Sequence, residues 1–200
     1  MNAPVRWLVL LLSLGVAGYG VYAYFTLTPG TTVHPEMRAA YAAHPARILI
    51  HVAGSAVALL VGPLQFFPAI RAQRHLHRAL GYIYFAGVMI GGGAGFATAF
   101  IAFGGLVSQV GFGLLAVVWI LATLLAVRAA RQGDFARHEV WALRSFALTF
   151  SAVTLRIYLG TSFAAGVPFA SFYPLLAWLC WVPNLLVIEW FVLRATVATR

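Results

Sequence analysis

The sequence predicts an all-α, polytopic membrane bundle: one domain over residues 1–200, six transmembrane helices, and N- and C-termini both cytoplasmic. Three observations carry that expectation. Hydrophobic residues make up 62% of the chain and charged residues 8%, too little polar surface to coat a water-soluble domain of this size. Apolar runs recur along the chain, each close to the ~20 residues that a helix needs to cross a hydrocarbon core. The remaining charges cluster between those runs.

Residues 7–25 form the first span, directly after Arg6, with Tyr22 and Tyr24 placed as an interface belt. A cleaved signal peptide is the competing reading, but no convincing small-x-small cleavage site follows, so a retained helix is expected. Residues 26–46 are a polar connection with a Pro29-Gly30 turn signal and two His-Pro pairs, and Pro35–Ala43 reads as a short interfacial helix. The second span runs over about 48–70, holds His51, Ser55, Gly62 and Gln65, and has Pro63 as a kink. After the basic loop RAQRHLHR, the third span covers about 79–103. Its Gly87, Gly91 and Gly95 recur every fourth residue, which lets a neighbouring backbone approach closely. Gly104-Gly105 reads as a tight turn. The fourth, fifth and sixth spans cover about 107–127, 140–161 and 172–193, with Pro174 at the start of the last and Pro183 inside it.

The charge distribution sets an orientation. All 13 basic residues are arginine, and the net charge is +9. They form no single basic patch, so nucleic acid is not an expected partner. With a cytoplasmic N-terminus, Arg6, Arg71, Arg74, Arg78, Arg128, Arg131, Arg137, Arg194 and Arg200 collect on the inner side, and the outer loop keeps Arg38 and Arg47. The positive-inside rule favours that arrangement, in a bacterial inner membrane. Cys180 has no second cysteine to pair with and reads as a lipid- or core-facing filler.

The segment 131–156 is the richest in candidate function. It begins as a basic loop and becomes an apolar helix carrying Arg144 and then Arg156. A guanidinium at bilayer depth costs about 2.5–3.5 kcal/mol on insertion scales, so each needs a partner, a wet cavity or a task. On a helix, His138, Trp141, Ser145, Thr149, Ala152 and Arg156 share a stripe. Arg156 lies 18 residues beyond His138, about 27 Å along a helix, which brings it to the depth of His51. Arg144 and Glu189 share the opposite, inner depth, and an Arg144–Glu189 ion pair is expected. The alternatives for Glu189 are Arg194 or water.

The order His51…Gly62-Pro63…Gln65-Phe66, His77-Arg78…Gly81-x-x-Tyr84, and Gly133-Asp134…His138-x-x-Trp141-x-x-Arg144-Ser145…Arg156 resembles a family of bacterial multi-pass membrane proteins catalogued as a domain of unknown function, number 2306. The resemblance covers about residues 47–160. It implies that His51, His77, His138, Arg144 and Arg156 are the functional, cofactor-binding set, and it supplies no activity.

The leading expectation is a haem b or other redox-type protein, resembling the cytochrome b561-like architecture, with a four-helix core and an added helix at each end. His77 and His138 share the inner depth and are the expected ligands of the haem iron. Gly81, Gly91 and Gly95, on the face of His77, would make room for the porphyrin, and arginines would pair with its propionates. The alternative is a non-enzymatic protein that binds or transports a small molecule, a quinone or an anion, possible as a homodimer, with His51, Ser55, Gln65 and Arg156 lining a cavity. A third, weaker expectation is an outer metal site from His34, Glu36, His44 and His51. The bland reading of His34, His44 and His75 is a solvated interfacial residue, and His77 and His138 each have one too, as a cap and as an interface residue.

Overall fold

The computed structural model describes residues 2–28 and 30–198. Pro29, half of the expected turn, and Arg200, one of the arginines assigned to the inner side, lie outside them. Six helices are long and apolar enough to cross a membrane: Ala3–Phe25, Pro45–Phe66, Arg74–Ala99, Gly105–Arg131, Phe135–Ala164 and Phe169–Phe191. No strand occurs among the described residues.

The spans begin earlier than hydropathy alone suggests. Asn2 caps α1 (Ala3–Phe25) by accepting from the Val5 amide, and Asp134 caps α7 (Phe135–Thr149) by accepting from the Arg137 amide at 3.0 Å. A capped polar turn is helical without being apolar, so the arginine-bearing first turns join their helices. The His-Pro pairs have a similar use. Pro35 opens a 3-10 turn that leads into α2 (Arg38–Ala43), and Pro45 opens α3 (Pro45–Val61). Proline is at ease there because the first turn has no intrahelical acceptor for its missing N–H. At Pro63, α3 tightens into a 3-10 turn over Gly62–Phe66. Phe67 is extended, and a separate α4 (Pro68–Ala72) follows, so the second span stops short of the expected residue 70. The third span is α5 (Arg74–Ala99) and the fourth α6 (Gly105–Arg131). They are joined through Gly104 and Gly105, whose φ values of 92° and 64° favour glycine.

The last two spans are interrupted. The fifth is α7 followed by α8 (Ser151–Ala164), and the sixth is α9 (Phe169–Leu179) followed by α10 (Val182–Ala198). In the fifth, the Ala147 and Leu148 carbonyls lose their helical donors. Asn184 Nδ2 donates to Ala147 at 3.2 Å, and the Ser151 hydroxyl donates to Leu148. In the sixth, the Trp181 indole N–H donates to the Ala177 carbonyl at 2.8 Å. Bilayer hydrocarbon supplies no donors, so a broken span needs these side-chain substitutes. The expected stripe from His138 to Arg156 is therefore interrupted at Phe150.

α3 lies along α5, α5 along α6, and α6 along α7, while α1 covers α3, α9 packs on α6 and α10 on α7. The α3–α5 contact is backbone on backbone: a Cβ on Gly54 would fall 2.8 Å from the Gly91 Cα, and one on Gly91 2.7 Å from the Ser55 nitrogen. Small residues permit this approach, and dispersion then holds the helices together. The core is Ala58, Val88, Trp119, Ala122, Leu148, Cys180 and Trp181, which settles Cys180 on the inside. Leu11, Ile90, Leu106, Leu186 and Phe191 are exposed and form the lipid-facing girdle. Alternating spans place Arg6, Arg71, Arg74, Arg78, Arg128, Arg131 and Arg137 at one end, called here the arginine-rich end. Residues 26–28, 30–44, 100–104 and 165–168 form the far end.

Candidate functional site

The five candidate residues fall into two groups at opposite ends of the bundle. His77, His138 and Arg144 belong to the arginine-rich end, and His51 and Arg156 face a cavity toward the far end. One shared centre does not form, because α7 and α8 carry His138 and Arg156 a whole span apart.

At the arginine-rich end, the first turn of α5 presents His77 and the first turn of α7 presents His138. Their ring centroids are 6.4 Å apart with planes at 87°. His138 Nδ1 lies 2.9 Å from the Ala126 carbonyl. A carbonyl can only accept, so in the neutral ring Nδ1 carries the proton and Nε2 keeps its lone pair. His77 Nδ1 is buried with no partner among the described residues. The Gln65 amide donates to the His77 backbone carbonyl at 3.4 Å and ties the end of the second span to this turn. Gly81, one turn beyond His77, has nothing within 4 Å of a would-be Cβ. The other two glycines expected to seat a porphyrin are occupied. Gly91 receives α3, and Gly95 receives the His51 ring, 2.7 Å from its would-be Cβ.

Arg144 is fully engaged. Its Nε and Nη2 both donate to the Glu189 carboxylate, the second at 2.8 Å, and its guanidinium lies 4.4 Å from the Trp141 ring centroid. A paired fork stacked on an indole braces α7 against α10, with Nε and Nη2 committed to Glu189. The exposed Arg71–Glu139 contact at 3.4 Å links α4 to α7 and contributes little to stability.

At mid-depth, α5, α6 and α7 share a hydroxyl network. Tyr84 lies 2.7 Å from Ser145 and 2.6 Å from Thr149, Trp119 Nε1 donates to Thr149 at 2.9 Å, and Thr123 lies 2.6 Å from Ser145. Ser145 and Thr149 sit on the predicted stripe, but Tyr84, Trp119 and Thr123 come from elsewhere.

The far-end cavity has a volume of about 400 Å³ and is lined by residues from α1, α2, α3, α5, α6, α8 and α9, with Leu148 and Thr149 from the end of α7. His51 Nδ1 sits 2.8 Å from the Gly91 carbonyl, so this neutral imidazole also donates through Nδ1 and keeps a lone pair on Nε2. Arg156 donates from Nη1 to the Ala152 carbonyl of its own helix at 3.2 Å, and its buried Nε–H has no acceptor among the described residues. Tyr24 and Tyr41, both lining the cavity, have hydroxyls 3.1 Å apart. Burial pushes the Tyr41 phenol well above its ordinary range, so it stays neutral. Tyr24 therefore turns inward, where an interface belt was expected, while Tyr22 stays exposed.

The outer metal site does not assemble. His34 lies 3.7 Å from Glu36 but stacks on Phe169 at 3.8 Å between centroids. Among the described residues no three His, Cys, Asp or Glu side chains converge. Glu36, expected as a ligand of the outer metal site, lines the cavity instead, and Tyr24 and Tyr41 are cavity residues that sequence reasoning missed as site residues. Their polarity fitted an interfacial loop equally well, and no periodicity distinguished them.

These features define a six-span integral membrane protein with an imidazole pair at one end and an arginine-bearing cavity at the other. A family model described as a predicted membrane protein, domain of unknown function 2306, matches residues 48–192, and the chain belongs to that family. The match extends beyond the resemblance over 47–160 to include the sixth span and Glu189, and it leaves α1 and α2 outside. No curated protein and no solved structure matches the chain.

Proposed function

We propose that the chain is a haem-binding, redox-type protein of the bacterial inner membrane, with the iron held between His77 and His138 at a cytoplasmic, arginine-rich end. The supporting observation is the 6.4 Å separation of the two ring centroids. An imidazole nitrogen binds a metal at roughly 2 Å, so two rings whose nitrogens point at one ion have centroids about 6 Å apart. This pair, with planes at 87°, has the separation, though its nitrogens would have to be turned to the ion. The protonation of His138 fits the same task. A ligating histidine usually donates its other N–H to a carbonyl or carboxylate, as His138 does to Ala126. The unpartnered His77 Nδ1 and the open space at Gly81 are compatible with a group beside these rings.

Bound haem would supply one-electron transfer. The chain's part would be to orient the two imidazoles and to set the charge around them. Arg74 and Arg78, close in sequence to His77, are the candidates for propionate pairing, since Arg144 is taken by Glu189 and Arg71 meets Glu139.

The test is the visible spectrum of full-length protein purified from haem-replete cells. A Soret band that shifts on dithionite reduction, is lost in H77A and in H138A, and persists in H51A is the expected outcome. A colourless preparation removes the proposal. A band lost in H51A but kept in H77A would move the iron to the cavity and overturn the assignment to His77 and His138.

A further inference from the structure

We infer that the far-end cavity binds a single-chain amphiphile through an anionic carboxylate headgroup held by Arg156. This inference is independent of the haem proposal, and either can fail alone. It rests first on the contrast between two arginines of one span. Arg144 meets the carboxylate of Glu189, whereas Arg156 has only the carbonyl of its own helix and an Nε–H without an acceptor. A guanidinium within a membrane span calls for an anion, and its fork matches a carboxylate in two-point contact.

The cavity has the character of an amphiphile site. Its volume of about 400 Å³ lies in the range of small-molecule sites. Val16, Leu59 and Leu155 line it with aliphatic surface, which suits a hydrocarbon chain. Polar hydrogen is available elsewhere in the same cavity as well. Tyr24 and Tyr41 share one hydrogen bond, so one of the two phenol protons remains for an acceptor in the cavity. His51 presents a lone pair at Nε2 and is not a donor to the anion in its neutral form.

The competing internal anion is Glu36, whose carboxylate also lines the cavity. It lies 3.7 Å from His34, its side chain is 48% exposed, and no ion pair joins it to Arg156 among the described residues. Were Glu36 the true counter-charge, Arg156 would be a brace and the headgroup would go unread.

The experiment is equilibrium binding of radiolabelled dodecanoate to the full-length chain in nanodiscs, with empty nanodiscs as the baseline. Saturable binding near one per chain is expected. It should be displaced by unlabelled dodecanoate and not by dodecan-1-ol or acetate, because both the chain and the charge are read. Dodecyl phosphate separates a carboxylate-specific fork from a general anion site, and weaker displacement than by dodecanoate is expected. R156Q should weaken binding at least about tenfold, the scale of a lost charge-assisted hydrogen bond. R156K should fall between R156Q and the parent. V16W, which fills the cavity from α1, should abolish binding even if R156Q proves unstable. Equal displacement by dodecan-1-ol, equal or stronger displacement by dodecyl phosphate, unsaturable uptake, or parental affinity in either monodisperse R156Q or V16W would overturn the inference.

Discussion

Arg144 and Glu189 show how much a single charged residue in a membrane span can reveal. An intramembrane cation needs an anion, and with only four acids in the chain, shared depth made the pair with Glu189 the leading expectation, ahead of Glu189's alternatives, Arg194 or water. Removing one partner strands the other, which costs 3–5 kcal/mol when both are fully buried. Here the side chains are 22% and 35% exposed, so R144Q or E189Q should each lower unfolding stability by about 1–3 kcal/mol. The doubly exchanged R144E/E189R chain should recover part of that loss. Thermal unfolding in detergent measures all three, and two harmless single variants would show that the contact is dispensable. The hydroxyl network around Tyr84 was not legible in the same way. Serine, threonine and tyrosine carry no charge whose cost demands a partner, and Tyr84 lies 61 residues from Ser145, beyond any local spacing.

Helix α5 shows that one glycine pattern can serve different ends. The fourth-residue spacing correctly announced a close approach, but not which neighbour would use it. Gly91 admits the α3 backbone and Gly95 the His51 ring, whereas Gly81 meets nothing. G91A should therefore destabilise the bundle by about 1–3 kcal/mol through forced separation of two packed backbones, while G81A should raise stability by about 0.5–1 kcal/mol in thermal unfolding, since alanine favours a helix interior. Equal effects at both positions would contradict the packing. The helix interruptions divide along similar lines. Pro183 advertised a disturbance in the sixth span, because proline lacks a donor. The fifth breaks at Phe150 without a proline, and its repair by Asn184, which lies 37 residues from Ala147, is a tertiary feature that local sequence does not encode.

Across the whole molecule, the number of spans was written in composition and run length, because the bilayer imposes both. The grouping of site residues was not, since it depends on which faces of separate helices meet. The expected orientation, with the arginine-rich end in the cytoplasm, can be checked by labelling. In a C180A background, T31C on the far-end connection should react with a membrane-impermeant maleimide in intact cells. Q132C, between α6 and α7, should react only after permeabilisation. The reverse pattern would invert the topology.

The inward face of α1 has a consequence for selectivity. Val16, Ala17, Gly20 and Tyr24 wall the chamber, yet they precede the stretch that defines the family. Were an amphiphile held there, exchanging these four side chains would alter which molecule fits while leaving residues 48–192 untouched.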